Sequence, residues 1–91
     1  MNDKQAEYVL TVLKEGSFTA AAKRLYISQP SLSQMVKAAE NRLGAPIFDR
    51  TTDPITLTPA GKLYVEAALQ VRGITENLEK FELGIAVQKL Y

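Results

Sequence analysis

GSFTAAAKRLYISQPSLSQMVKAAENRLGAPIFDR, residues 16–50, is the stretch that decides the fold. Ser17 can cap a first helix, in which three consecutive alanines favour helix and leave a face thin enough for close packing. Ser28 can cap a second helix, which carries Pro30 in its first turn, where a missing N–H costs nothing. Apolar residues repeat at helical spacing along this second helix until a glycine ends it. The stretch therefore predicts two helices joined by a tight turn, over residues 18–25 and 29–43.

The face of the second helix opposite its apolar stripe carries short hydrogen-bonding groups and one cation. Glutamine can bond bidentately to N6 and N7 of adenine, serine can bond to base edges or phosphates, and lysine neutralises phosphate. This composition favours a surface that meets DNA, while a polar face that only contacts water fits the same pattern. The residues on this face are Gln29, Pro30, Ser31, Ser33, Gln34 and Lys37.

Charge is distributed unevenly along the chain, whose formal net charge is +1 at pH 7. Residues 17–50 carry five basic and two acidic side chains, whereas the rest of the chain carries six basic and eight acidic ones. The positive charge therefore belongs to the two-helix unit, as expected of a surface that binds a polyanion.

The segments that flank this unit predict a further helix and a hairpin. A capping residue and an apolar stripe predict a helix over residues 3–15. The β-prone pieces Ile47-Phe48 and Ile55-Thr56-Leu57 predict a small hairpin, a wing, with Phe48 and Leu57 packed inward.

A long helix is predicted to begin at Thr58-Pro59, because threonine can cap it and proline suits the first helical position. Apolar residues then recur at alternating spacings of three and four, a heptad seam typical of a helix that pairs with another long helix. A chain of 91 residues offers little of its own domain to cover such a seam. We therefore expect a homodimer formed through Tyr64, Ala67, Val71, Ile74, Leu78, Phe81 and Ile85.

The chain contains no cysteine and no histidine. This composition excludes disulfides, thiolate nucleophiles, zinc sites of the Cys/His type and the commonest general acid–base. No catalytic, metal or cofactor site is predicted, and an enzyme is disfavoured. The N-terminus lacks a signal-peptide pattern and no apolar run approaches membrane-spanning length, so we expect a soluble, cytoplasmic protein.

Four groups of residues occur together in a fixed order: SFT-AA, L-ISQPSLS, E-LG-P-F-R and LTPAG. In this combination they closely resemble the N-terminal winged helix-turn-helix and linker helix of LysR-type transcriptional regulators, over nearly the whole chain. The resemblance implies a mainly α fold of three helices and a short β-hairpin wing, followed by a long C-terminal linker helix for dimerisation. It divides the chain into a DNA-binding domain over residues 1–58, with the helix-turn-helix at about 18–37, and a dimerising linker helix over residues 59–91.

The resemblance also implies a function, sequence-specific binding of a dimer to double-stranded promoter DNA to regulate transcription. The helix that begins near Gln29 would enter the major groove. Bases or adjacent phosphates would be met by Gln29, Pro30, Ser33 and Gln34. Contacts with the DNA backbone would be made by Ser17, Thr19, Ser28, Ser31, Lys37 and Arg50.

LysR-type regulators normally continue into a larger domain that senses a small molecule. The present chain stops at Tyr91, which favours a DNA-binding fragment over a natural short protein. A small-molecule effector is therefore expected only if a further C-terminal domain exists.

The sequence departs from the family pattern at two places that concern charge. Gln34 stands where arginine is common, and the wing reads Thr51-Thr52-Asp53-Pro54 where arginines are frequent. Fewer cations release fewer counterions, so a shallow salt dependence of DNA binding is expected. The weakly basic wing also leaves open an alternative of a different class, a winged-helix module that binds protein rather than DNA.

Overall fold

The computed structural model describes residues 2–72, and the surroundings of side chains through residue 70. Four helices and a two-stranded antiparallel sheet follow one another along the chain. This order confirms the predicted three helices, hairpin wing and following helix. The elements are α1 (Asp3–Glu15), α2 (Phe18–Leu25), α3 (Gln29–Leu43), β1 (Phe48–Asp49), β2 (Thr56–Leu57) and α4 (Pro59–Arg72).

The first three helices begin at the residues that the sequence predicts, because each has a capping side chain. Asn2 Oδ1 accepts a hydrogen bond from Gln5 N at 2.9 Å, and Ser17 Oγ accepts one from Ala20 N at 3.0 Å. Such bonds satisfy N–H groups that a helix start otherwise leaves unpaired.

The end of α2 differs in kind from the ends of α1 and α3. Gly16 and Gly44 end their helices with positive φ, whereas α2 ends at Tyr26, which takes a left-handed conformation with φ 57°. The Tyr26 N–H donates to Lys23 O at 3.2 Å, and the side chain is 94% exposed. The tight turn of the two-helix unit therefore holds a bulky residue in a conformation that side chains disfavour.

One apolar core joins all four helices and the hairpin. The predicted apolar stripe of α1 is buried in it, and so is the core face of α3. Fully burying one of the larger aliphatic side chains contributes ~1.5–3 kcal/mol. The buried residues are Ala6, Val9, Leu10, Val12, Leu13, Phe18, Ala21, Ala22, Leu32, Val36, Ala39, Ile47, Phe48, Leu57, Tyr64, Val65 and Ala68.

The wing is shorter than its β-prone sequence. Phe48 pairs with Leu57 and Asp49 with Thr56, and both Phe48 and Leu57 face inward as predicted. Ile47 and Ile55 lie outside the ladder because their backbone groups bond elsewhere. Ile47 N donates to Glu40 Oε2 at 2.9 Å, and Ile55 N donates to Gly16 O at 3.0 Å.

The start of α4 is fixed to the chain that enters the wing. Thr58 Oγ1 accepts from Gly61 N at 2.9 Å and donates to Pro46 O, so one hydroxyl caps the helix and holds the preceding loop. A Cβ on Gly61 would collide with the Ile47 carbonyl oxygen. The LTPAG segment therefore needs glycine for the close approach of two backbones.

The first turns of α4 belong to the core described above, through Tyr64, Val65 and Ala68. The division of the chain between residues 58 and 59 stays a prediction. Among the described helices, none combines the length and apolar character needed to cross a membrane.

Candidate nucleic-acid interface

Helix α3 presents opposite faces to the core and to solvent. Leu32, Val36 and Ala39 are buried, with 0–1% of their surface exposed. The polar face predicted from the sequence lies outside: Ser33 is half-buried, and Gln29, Pro30, Ser31, Gln34 and Lys37 are exposed. The side chains predicted to meet DNA are therefore accessible along one face of a helix whose other face is held rigidly.

Two of the predicted serines have their hydroxyl groups engaged at helix starts. Ser28 Oγ accepts from Ser31 N at 3.2 Å and donates to Ser31 Oγ at 2.9 Å. Ser17 Oγ accepts from Ala20 N. Ser28 therefore has its proton committed, while Ser31 keeps its own hydroxyl proton for an outside acceptor.

A hydrogen bond joins the starts of the two helices. Thr19 Oγ1, in the first turn of α2, donates to Gln29 Oε1 at 3.2 Å. Both amide hydrogens of Gln29 stay available, because its carbonyl oxygen is the group that Thr19 occupies. Two residues predicted at the interface are thus brought together.

Arg50 lies beside α2, although it follows the wing strand β1. Its guanidinium carbon is 4.1 Å from the centre of the Phe18 ring, a cation–π contact. The Phe18 ring meets the Phe48 ring edge-to-face, with centroids 5.8 Å apart and planes at 82°. The sequence patterns do not predict the support that Phe18 gives to Arg50. The sequence signal for it is a pair of phenylalanines, Phe18 and Phe48, near the two ends of the 16–50 stretch.

An open groove of about 760 Å³ runs between α3 and the wing. It brings together four of the ten predicted DNA-contacting residues, Ser33, Gln34, Lys37 and Arg50. Its remaining lining residues are Glu40, Pro46, Phe48, Asp49 and Thr58. We call it the α3–wing groove. The other six predicted residues lie at the starts of α2 and α3, outside this lining.

Both acidic groups in the α3–wing groove accept hydrogen bonds from nearby chain. Glu40 Oε2 accepts from Ile47 N at 2.9 Å, and Asp49 Oδ1 accepts from Thr51 N at 2.9 Å and from Thr51 Oγ1. The Thr51 hydroxyl and then its N–H hold the pKa of the Asp49 carboxyl below its ordinary value. Within residues 2–72 neither Lys37 nor Arg50 forms an ion pair, so both cations are available to an anion.

The residues predicted to form the dimer seam are only partly within the described structure. Tyr64 is 7% exposed and packs into the core of its own domain, which removes it from a seam facing a partner. Ala67 is exposed, and so is Leu63, one turn before it, at 68%. The side chain of Val71, and Ile74, Leu78, Phe81 and Ile85 altogether, lie outside the described residues.

Across the described residues, no group of three or more carboxylates could hold a metal ion. The arrangement offers instead a helix with exposed hydrogen-bonding groups and Lys37 on one face, Arg50 across the groove from it, and a wing. Three helices with a hairpin wing and a polar outward face on the third helix define a winged helix-turn-helix domain.

Comparison with known proteins identifies the family. Residues 4–62 match the model of bacterial regulatory helix-turn-helix proteins of the lysR family. The chain belongs to this family, as the motifs of the sequence predict. The comparisons give no support to the alternative of a protein-binding module.

Relatives and solved structures agree with this assignment. The probable cat1 operon transcriptional activator of Acinetobacter lwoffii is 39% identical over 79 residues, which are 87% of this chain and 26% of that protein. The crystal structure of the BenM_DBD/catB site 1 DNA complex is 31% identical with a TM-score of 0.75, covering 86% of this chain and 84% of that one. Vibrio fischeri DarR in complex with DNA is 32% identical with a TM-score of 0.76, covering 85% and 26%.

The chain spans about a quarter to a third of the length of the first curated relatives it matches, 26% and 34% for two of them. Those relatives are described as transcriptional regulators. None of that description concerns an enzyme.

Proposed function

We propose that this chain is the DNA-binding part of a LysR-type transcription regulator. It binds double-stranded DNA as a homodimer in the bacterial cytoplasm, with α3 in the major groove. The observation that carries the proposal is the exposed polar face of α3, whose Lys37 lines one groove with Arg50, and within residues 2–72 neither cation forms an ion pair. Both solved relatives described above are DNA complexes.

The residues divide into two roles in this proposal. Gln29, Pro30, Ser33 and Gln34 meet base edges or adjacent phosphates from the major groove, because they lie on the exposed face of α3 from its first turn onward. Lys37 and Arg50 bind phosphate and hold the domain in register. Weaker backbone contacts come from the hydroxyl-bearing residues at the helix starts, Ser17, Thr19, Ser28 and Ser31.

Dimerisation through α4 and the chain that follows completes the proposal. Residues 1–58 form the DNA-binding domain and residues 59–91 the dimerising linker helix, which shares the domain core at its start. The exposed pair Leu63 and Ala67 supports a seam on the face of α4 opposite its core side. That seam continues through Val71, Ile74, Leu78, Phe81 and Ile85, with Leu63 in place of Tyr64. A small-molecule effector would act only through a further domain. The curated relatives are about three to four times as long as the part that this chain matches.

Selection of bound duplexes from a random pool tests DNA binding and dimer geometry together. A palindromic consensus with half-sites one or more helical turns apart is expected from a dimer. An absence of enrichment at low salt would overturn the proposal.

Matched variants test the two roles on the selected duplex and on mutated copies of it. Gln34→Ala should cost ~1–3 kcal/mol at particular base pairs and relax preference there. Lys37→Ala should weaken binding to every sequence about equally. Lys4→Ala removes the same charge from the exposed face of α1 and should change DNA affinity little. Equal losses for all three variants would contradict the assignment of α3 to the groove.

Sedimentation of the 91-residue chain tests the seam. Leu63→Glu should shift the chain toward monomer, because a carboxylate in an apolar helix seam is costly to bury. A Leu63→Glu chain that stays as dimeric as the unchanged one would place the interface elsewhere.

A further inference from the structure

The cation at the end of the wing rests on the first residue of the helix-turn-helix. Arg50 follows β1 directly, and its guanidinium carbon lies 4.1 Å from the ring centre of Phe18, the first residue of α2. The arginine side chain is exposed, whereas Phe18 is only 6% exposed. A flexible cation is therefore placed over a fixed aromatic surface.

We propose that Phe18 is a positioning residue for DNA binding, and that its ring holds the Arg50 guanidinium ready to bind a DNA phosphate. The proposal rests on the proposed function. An aromatic face attracts a guanidinium through the ring quadrupole, and arginine stacks flat on it while its N–H groups remain at the edge for hydrogen bonds. A side chain already ordered in the free protein loses less entropy on binding.

The ring that supports Arg50 is itself held in place. Phe48 meets Phe18 edge-to-face at 5.8 Å, and both rings belong to the buried core. Because close-packed cores keep side chains in fixed rotamers, Phe18 presents a defined surface rather than a mobile one. The position of Arg50 relative to α2 is thereby tied to the packing of the domain.

The carboxylate that precedes Arg50 in the chain accepts hydrogen bonds from Thr51 and forms no ion pair with Arg50. This carboxylate belongs to Asp49, whose Oδ1 accepts from the Thr51 N–H and hydroxyl. Within the described part of the chain Arg50 forms no ion pair. The stacked guanidinium thus keeps its charge and its hydrogen-bond donors for an outside anion.

A double-mutant cycle on the 91-residue chain tests the positioning role. Phe18→Leu and Arg50→Ala are made singly and together, and affinity is measured on a labelled DNA duplex of mixed sequence at low salt. The loss caused by Arg50→Ala should be about two- to five-fold smaller in the Phe18→Leu background than in the unchanged chain. Tyr64→Leu is the matched control, because it removes another ring of the same core, one that lies beside Arg42 and Leu43 rather than against Phe18 or Arg50. It should show no comparable coupling.

The outcomes separate this proposal from the proposed function. If the effects of Phe18→Leu and Arg50→Ala multiply independently while DNA is still bound, the positioning role fails and the function stands. If the unchanged chain binds no duplex, both fail. Equal coupling of Phe18 and Tyr64 to Arg50 would indicate a general packing effect and would also overturn the positioning role.

Nuclear magnetic resonance of the unchanged chain tests the same contact without depending on whether a variant folds. Ring currents of Phe18 should shift the δ protons of Arg50 upfield of those of Arg24, which forms an ion pair with Glu15. The shift should persist when the chain is saturated with duplex. Its absence in the free chain, or its loss on DNA binding, would show that Arg50 binds phosphate without support from Phe18.

Discussion

The backbone of Gly61 in α4 lies directly against the carbonyl group of Ile47, with no room for a side chain between them. A Cβ on Gly61 would collide with the Ile47 oxygen and would stand 2.9 Å from its carbonyl carbon. Thr58 caps the same helix turn and donates to Pro46 O. Two residues of the LTPAG segment, Thr58 and Gly61, therefore join the linker helix to the loop that enters the wing.

Gly61→Ala should strongly destabilise the domain, because the obstacle is backbone and cannot rotate away. Overpacking of this kind costs ~1–3 kcal/mol or more, and we expect a loss in the upper part of that range. Gly44→Ala is the control: a Cβ there meets nothing within 4 Å, but φ is +84°. It should cost only the left-handed strain, ~1 kcal/mol. Urea unfolding measures the loss of stability in both variants. Equal losses would show that the backbone at Ile47 moves aside for the added Cβ at little cost in free energy.

Tyr26→Asn should stabilise the domain by ~0.5–1 kcal/mol, because asparagine tolerates the left-handed conformation better than tyrosine does. Tyr26 has φ 57° and is 94% exposed, so little packing is lost when its ring is removed. Thermal unfolding measures the gain. Tyr26→Phe keeps the bulk and the strain and should leave the midpoint unchanged. A destabilised Tyr26→Asn chain would mean that the exposed ring makes a contribution of its own.

The helix boundaries are predictable from sequence because their causes are local. Asn2 and Ser17 each bond to an N–H three residues ahead, and Gly16 and Gly44 supply positive φ at the helix ends. Such signals depend only on neighbouring residues. The short ladder of the wing is less predictable, since Ile55 N bonds to Gly16 O and Ile47 N bonds to the Glu40 side chain, both outside the hairpin.

The same distinction applies to the candidate site. Periodicity identifies the outward face of α3 but cannot say what covers an apolar stripe, and Tyr64 is covered by its own domain. Phe18 and Arg50 are 32 positions apart in the chain, and no spacing rule relates them. Their contact exists only because the wing folds back onto α2.

Thr51→Val should raise the pKa of the Asp49 carboxyl toward its ordinary value of 3.8, because the Thr51 hydroxyl is the largest cause of the lowered pKa. A lowered pKa in the folded state contributes stability that is present above the unfolded value and is lost as pH falls through the folded value. Removing the hydroxyl should therefore reduce stability above about pH 4 and leave it little changed in stronger acid. Carboxyl-carbon resonances followed from pH 2 to 6 report the titration directly.

Thr52→Val is the matched control for this titration. Its hydroxyl bonds to the Asp49 backbone carbonyl and to the Thr56 hydroxyl, and not to the carboxylate. The Asp49 titration should therefore keep its position in Thr52→Val. If both variants moved it equally, the shape of the wing rather than the Thr51 hydroxyl would hold the pKa down.

Gln34→Arg should strengthen DNA binding at low salt and steepen its salt dependence. Gln34 is exposed and lines the α3–wing groove with Lys37 and Arg50, so an arginine there would add a third cation facing the same anion. Each additional phosphate contact releases about 0.9 counterion from duplex DNA, so the slope of log K against log salt concentration should become more negative by about 1. Affinity measured on one duplex across a salt series gives this slope for both chains. Glu7→Gln is the control, because it raises the net charge by the same one unit on the exposed face of α1, away from the groove. It should leave the slope nearly unchanged. Equal steepening by the two variants would show that the net charge of the chain, rather than a cation on the outward face of α3, governs the salt dependence of DNA binding.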